Sequence, residues 1–80
     1  MRKRSVTIDG HRTSISLEDA FWTELVRLAR ERPVSLNTLV SEVDRARTSE
    51  DVNLSSALRL YVLGELVKKR DATRVDLIAL

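Results

Sequence analysis

Arg12, Ser14 and Ser16 stand at alternate positions of one short segment, and Lys3, Ser5 and Thr7 repeat the arrangement just upstream. In an extended chain every second side chain shares a face, so each trio projects together. A guanidinium donates in a fork to guanine O6 and N7, and hydroxyls bond several base edges or phosphate oxygens. Neither trio contains a carboxylate, so neither opposes a polyanion. Serine and threonine are also ordinary occupants of an exposed strand face. The pattern therefore carries two readings until its surroundings are known.

The sequence offers little to covalent chemistry. His11 is the one histidine, cysteine is absent, and no group of carboxylates gathers around His11. A lone histidine beside a turn is more often a turn or core-edge residue than a general base. Glu18-Asp19 and Glu50-Asp51 read as acids at helix starts, where the dipole favours them, rather than as a metal site. The expectation is a protein that is not an enzyme and uses no cofactor and no metal.

Charge distribution bears on the two readings of the trios and leaves both open. Residues 1–12 carry Arg2, Lys3, Arg4 and Arg12 against Asp9 alone, whereas residues 13–80 carry ten basic and eleven acidic side chains. A basic edge on a neutral body suits a polyanion partner. A solvated charge run at the chain start is the plainer account. The chain has 80 residues, 42% of them hydrophobic and 32% charged, which fits one folded domain with a thin core. Without cysteine, neither disulfides nor a thiolate metal site adds stability, and oligomerisation is the remaining common remedy. No apolar run reaches the length of a signal peptide core or a membrane span. An intracellular, soluble protein with no membrane contact is expected.

The elements that must carry the trios follow from local pattern. Arg4–Ile8 and His11–Leu17 flank Asp9-Gly10, a two-residue hairpin turn in which both residues need positive φ. The register then sets Ile8 opposite His11, Val6 opposite Thr13 and Arg4 opposite Ile15. One face carries Val6, Ile8, His11, Thr13, Ile15 and Leu17, and the other carries Lys3, Ser5, Thr7, Arg12, Ser14 and Ser16. A first helix spans about Glu18 to Arg32, with Phe21, Leu25, Leu28 and Ala29 on one stripe and Trp22 and Val26 beside it. Ser16 or Leu17 stands at its cap, and Pro33 ends it. Trp22 reads as packing in a dimer core, with a partner-binding anchor as the alternative.

Ser35 caps a second helix with Leu36, Leu39, Val40 and Val43 on one face. After the polar break Thr48-Ser49-Glu50-Asp51, Asn53 or Ser55 caps a third helix running to about Arg70. That helix carries Leu54, Ala57, Leu58, Leu60, Tyr61, Val62, Leu63, Leu66 and Val67. A stripe so wide exceeds what a surface helix needs, and it predicts packing on two sides. Residues 1–70 make the domain, and 71–80 a loosely ordered tail.

In order and spacing, Thr13-Ser14-Ile15-Ser16-Leu17, then Phe21, Leu25 and Leu28, then Val34-Ser35-Leu36-Asn37-Thr38-Leu39-Val40 resemble the ribbon-helix-helix superfamily of the MetJ, Arc and CopG type. The likeness covers about residues 11–44. The longer block from Thr7 to Trp22, continued by Asn53-Leu54-Ser55-Ser56-Ala57-Leu58-Arg59-Leu60-Tyr61-Val62-Leu63, resembles a bacterial subfamily with a leading strand and a third helix. The resemblance implies a mainly α fold with a short β-ribbon. Two protomers contribute one strand each to the ribbon and interlock their helices.

The same resemblance implies that Arg12, Ser14 and Ser16 read bases in the major groove while Thr13, Ile15 and Leu17 face inward. It implies a dimer core of Ile15, Leu17, Phe21, Trp22, Leu25, Leu39 and Val40. It also implies a DNA phosphate held on the backbone N–H groups of Ser35, Leu36 and Asn37, and helix dipole physics points there independently. One departure is the turn between the first two helices, where many members have Gly and this chain has Arg32-Pro33. Proline ends a helix but cannot supply a left-handed position.

The leading strand adds a geometric constraint. Four strands in a dimer span about 14 Å, three spacings of roughly 4.8 Å, against a major groove about 12 Å wide. The expectation is that the inner strands read bases while Lys3, Ser5 and Thr7 lie against flanking phosphates, or else that the first strand peels away on DNA. The function implied is sequence-specific binding of double-stranded DNA by a homodimer, as a transcriptional regulator or repressor in the cytoplasm, at the nucleoid. The alternative is an antitoxin-like module whose third helix and Val75–Leu80 tail hold a protein partner.

Overall fold

A computed structural model of the chain describes residues 2–47 and 53–79, with side chains through residue 72. The hairpin forms as β1 (Arg2–Ile8) and β2 (His11–Leu17), antiparallel in a two-stranded sheet. Asp9 and Gly10 take φ of 50° and 81°, the left-handed pair that a two-residue turn requires. Register follows from the turn: Ile8 faces His11, Val6 faces Thr13 and Arg4 faces Ile15. Pairing also runs on to Lys3 and Arg2, opposite Ser16 and Leu17, so β1 starts two residues before the expected Arg4. Val6, Ile15 and Leu17 are buried on the inner face and Ile8 and Thr13 are half-buried, whereas His11 beside the turn is exposed.

The first helix, α1, spans Asp19–Glu31 and α2 spans Leu36–Ala46. The cap of α1 differs from expectation. Ser16 and Leu17 remain in β2, and Glu18 is the N-cap, with no side-chain capping bond. Its carboxylate is engaged elsewhere, accepting from Arg59 Nε at 2.7 Å. At the other end Arg32 caps α1 in a right-handed conformation, and the Val34 N–H reaches back to the Ala29 carbonyl at 2.8 Å. The turn thus closes without the left-handed residue that glycine would supply, which accommodates Pro33. Arg32 also pairs with Glu42 across the turn, tying the end of α1 to α2. That carboxylate, with a smaller contribution from Tyr61, raises the guanidinium's pKa further, while Arg32 holds Glu42 below the ordinary glutamate range.

The third helix, α3, spans Leu54–Ala79, and the Asn53 side chain caps it by accepting from the Ser56 N–H at 2.8 Å. It continues past the expected end near Arg70, because after Gly64 the sequence holds neither Gly nor Pro to stop it. The polar break at Thr48–Asp51 lies outside the described residues, as do the side chains of the Val75–Leu80 segment.

The helices close over the inner face of the hairpin. Val6, Ile15 and Leu17 meet Leu25, Leu28 and Ala29 of α1, Leu39, Val40 and Val43 of α2, and Leu58 and Val62 of α3 in one core. Leu17, Leu25, Leu39 and Leu58 are fully enclosed, each burial worth about 1.5–3 kcal/mol. No polar or charged residue is buried among those described. Five residues expected in a dimer core, Ile15, Leu17, Leu25, Leu39 and Val40, are thus already enclosed within one protomer, whereas Phe21 and Trp22 are only half-buried.

Candidate nucleic-acid interface

The outer face of the hairpin presents three facing pairs: Lys3 with Ser16, Ser5 with Ser14, and Thr7 with Arg12. Lys3, Ser5, Thr7, Arg12 and Ser14 are exposed and Ser16 is half-buried. In a two-residue hairpin the closing pair Ile8–His11 exchanges hydrogen bonds, and such pairs alternate with pairs that do not. The outer-face residues form the second kind. Their side chains stand closest together, and their backbone N–H and C=O groups point out of the hairpin edges.

The two edges have different surroundings. On β1, the Thr7 N–H donates to Asn37 Oδ1 at 3.2 Å, and Arg45 near the end of α2 pairs with Asp9 in the turn at 3.7 Å. The second helix therefore lies along β1. No strand borders the outer edge of β2 among the described residues, and the backbone groups of Arg12, Ser14 and Ser16 are directed there.

Electrostatics single out the hairpin. Arg27 pairs with Glu24 and Glu31, Arg32 with Glu42, Arg45 with Asp9, Arg47 with Asp44, Arg59 with Glu18, Lys68 with Glu65 and Arg70 with Asp71. Arg2, Lys3 and Arg12 have no such partner among the described residues, and all three belong to the hairpin. Arg30, on the outer side of α1, likewise has no such partner among the described residues. It lines an open groove of about 480 Å³ with Trp22, Thr23, Val26 and Arg27.

Sequence reasoning missed the role of Arg4. Its guanidinium lies 4.5 Å from the centroid of the Trp22 ring and reaches Asp19 at 3.2 Å. Arg4 is on the helix-facing side of β1, opposite Ile15, so it anchors the strand to α1 rather than joining the outward cations. Its even position in the hairpin register was the available signal. The Asn37 contact to Thr7 had no such signal, because the two residues lie thirty apart in sequence.

At the start of α2, Ser35 Oγ accepts from the Thr38 N–H at 3.1 Å and donates to Thr38 Oγ1 at 2.8 Å. The Leu39 N–H makes the first helical bond, to the Ser35 carbonyl. Preceding it, the amides of Leu36 and Asn37 are orphan donors at the positive end of the helix dipole. The outward trio Arg12, Ser14 and Ser16 and the α2 start are not contiguous, since β1 lies between them. Among the described residues, no three His, Asp or Glu side chains gather as a metal site, and no helix is long and apolar enough to cross a membrane.

An antiparallel ribbon with one polar face, backed by helices joined through a short turn, defines a β-ribbon helical domain. The chain belongs to the ribbon-helix-helix family: the model of the ribbon-helix-helix domain matches residues 1–66, from the leading strand into the third helix. Such domains are generally those of DNA-binding regulators or antitoxins, and are regulatory modules rather than enzymes. No curated protein and no solved structure gave a match.

Proposed function

We propose that this chain binds double-stranded DNA sequence-specifically as a homodimer, acting as a transcriptional regulator or repressor, with Arg12, Ser14 and Ser16 at the base edges. The observation that carries the reading is the coincidence of two features on one face. The hairpin's outer side has no carboxylate, and Lys3 and Arg12 on it have no ion-pair partner among the described residues, while most of the body's cations are neutralised.

The open edge of β2 supports the dimer and suggests its register. A second copy pairs antiparallel most fully when Ser14 faces the partner's Ser14, with Arg12 facing the partner's Ser16. All outward backbone groups of both strands are then used, whereas a slip of two residues strands one pair. The two Arg12 positions lie about 14 Å apart along such a ribbon, four residue steps at about 3.4 Å. Peeling β1 away would expose Val6, at about 1.5–3 kcal/mol, and break the Arg4–Trp22 stack. That cost favours β1 remaining paired, with Lys3, Ser5 and Thr7 beside the flanking phosphates. Ser35, Leu36 and Asn37 would meet the backbone further out, and the half-buried Phe21 and Trp22 would complete the dimer contact.

Selection from a random DNA pool, followed by gel shift, tests the reading. The selected site should be dyad-symmetric, and Arg12→Ala should lose the preference for it. A pool that never enriches would overturn it. The alternative, an antitoxin-like dimer that holds a protein partner, draws on the exposed leucines of α3. Pull-down with the same purified protein separates the two.

A further inference from the structure

The third helix has a second apolar face. Leu58 and Val62 are buried on its inner side, while Leu60 and Leu63 are 63% and 54% exposed. At 3.6 residues per turn, Leu60, Leu63, Gly64 and Val67 form one stripe roughly opposite the buried one. Beyond Val62 no described residue of α3 is buried and only Glu65 and Val67 are half-buried, so the helix from Leu63 to Ala72 has little cover from its own protomer. Isolated helices of that length are marginal in water.

Gly64 makes the stripe more specific. A mid-helix glycine destabilises a helix relative to alanine, and nothing among the described residues requires one here. It has no positive φ, and a Cβ at this position would meet nothing within 4 Å. The missing side chain leaves a shallow seat between exposed leucines. Along the stripe the order is large, large, small, large, which is self-complementary in the antiparallel sense about the midpoint of Leu63 and Gly64. Leu63 then fills the seat over the partner's Gly64, Leu60 meets the partner's Val67, and Ser56 faces the partner's Asp71. A parallel pairing would set leucine on leucine beside an empty glycine pair.

We propose that this face of α3 docks a second copy of α3, antiparallel, with each Leu63 seated on the partner's Gly64. A seam of a few side chains falls well short of the roughly 1,200 Å² that a stable interface buries. It therefore joins protomers already concentrated by another contact and does not hold a dimer alone. The seam does not depend on DNA binding.

Because the chain has no cysteine, engineered thiols report the pairing cleanly. Under mild oxidation of the full-length protein, a mixture of Leu60→Cys and Val67→Cys should cross-link far more than either variant alone. Leu60→Cys cross-linking equally well alone would mean parallel pairing and overturn the proposal. So would a mixed yield no higher than that of an exposed Lys69→Cys control, which would leave the face to a different partner. Gly64→Leu fills the seat and should lower the mixed cross-link about tenfold, the effect of an overpacked contact costing about 1.4 kcal/mol. The same change should raise the helicity of the dilute protein. An unchanged yield would remove Gly64 from the interface. Arg12→Ala should leave every cross-link intact, so failure of the DNA reading and failure of the seam are read separately.

Discussion

Asn37, at the start of α2, accepts the backbone N–H of Thr7 through its side-chain oxygen at 3.2 Å. The bond satisfies an edge group of β1 and holds the leading strand beside the helix start. Asn37→Ala should speed amide exchange at Thr7 more than at Val6, whose N–H is paired inside the hairpin. The stability loss should be about 0.5–1.5 kcal/mol, the net worth of one such bond. Asn37→Asp keeps the acceptor and adds a charge favoured by the dipole, so it should fold as well as the parent. It should nevertheless bind operator and random DNA alike more weakly, by repelling the phosphate proposed there. Unchanged affinity at low salt would place the start of α2 away from the DNA backbone.

Arg12 and Lys3 share the outer face but are expected to act differently. Arg12→Ala should lower the ratio of specific to non-specific affinity, a bidentate guanine contact being worth about 1–3 kcal/mol in each protomer. Lys3→Ala should weaken all sequences similarly and flatten the salt dependence. Titrations at several salt concentrations distinguish them. An unchanged specificity ratio for Arg12→Ala would mean that a different face reads the bases.

The hairpin was legible because its determinants are local. Asp9-Gly10 sets the turn, the turn sets the register, and alternation then assigns both faces. The Ser35 cap and the Pro33 stop are equally local. What escaped the sequence depends on which distant groups compete for a side chain. Glu18 is the N-cap of α1 but does not cap it through its side chain, because Arg59, on another helix, holds the carboxylate. Arg4 counted as one more cation of a basic segment until Trp22 and Asp19 drew it inward. The end of α3 was misjudged because a change from apolar to charged residues alters a helix's surroundings without breaking it.

Acid should loosen the helices before the hairpin. Glu18, through its bond from Arg59, and Glu42, through Arg32, both titrate below the ordinary glutamate range. A carboxylate with a depressed folded-state pKa contributes stability above its unfolded pKa and loses it as pH falls through the folded value. Thermal stability should therefore drop on the acid side of the glutamate range, and Glu42→Gln should make that drop shallower. Both groups are solvent-accessible, so the effect should also shrink in high salt. A Glu42→Gln protein with the parent's acid profile would show that the Arg32–Glu42 pair contributes nothing to folding.

Ser14 and Ile15 are neighbours that separate assembly from folding. Ile15 is 4% exposed within its own protomer, so Ile15→Lys buries a charge and should unfold the chain at any concentration. The Ser14 N–H points out of the open β2 edge, away from β1. Ser14→Pro removes that donor while leaving the bonds of the Arg4–Ile15 and Val6–Thr13 pairs in place, a position at which an edge strand tolerates proline. The Ser14→Pro protein should therefore keep its helical circular dichroism yet sediment as a monomer. Its melting temperature should lose the rise with concentration expected of the parent, and its DNA affinity should fall together with dimerisation. A Ser14→Pro protein that remains dimeric and binds DNA would mean that the two copies do not meet along β2, and the register centred on Ser14 would have to be given up.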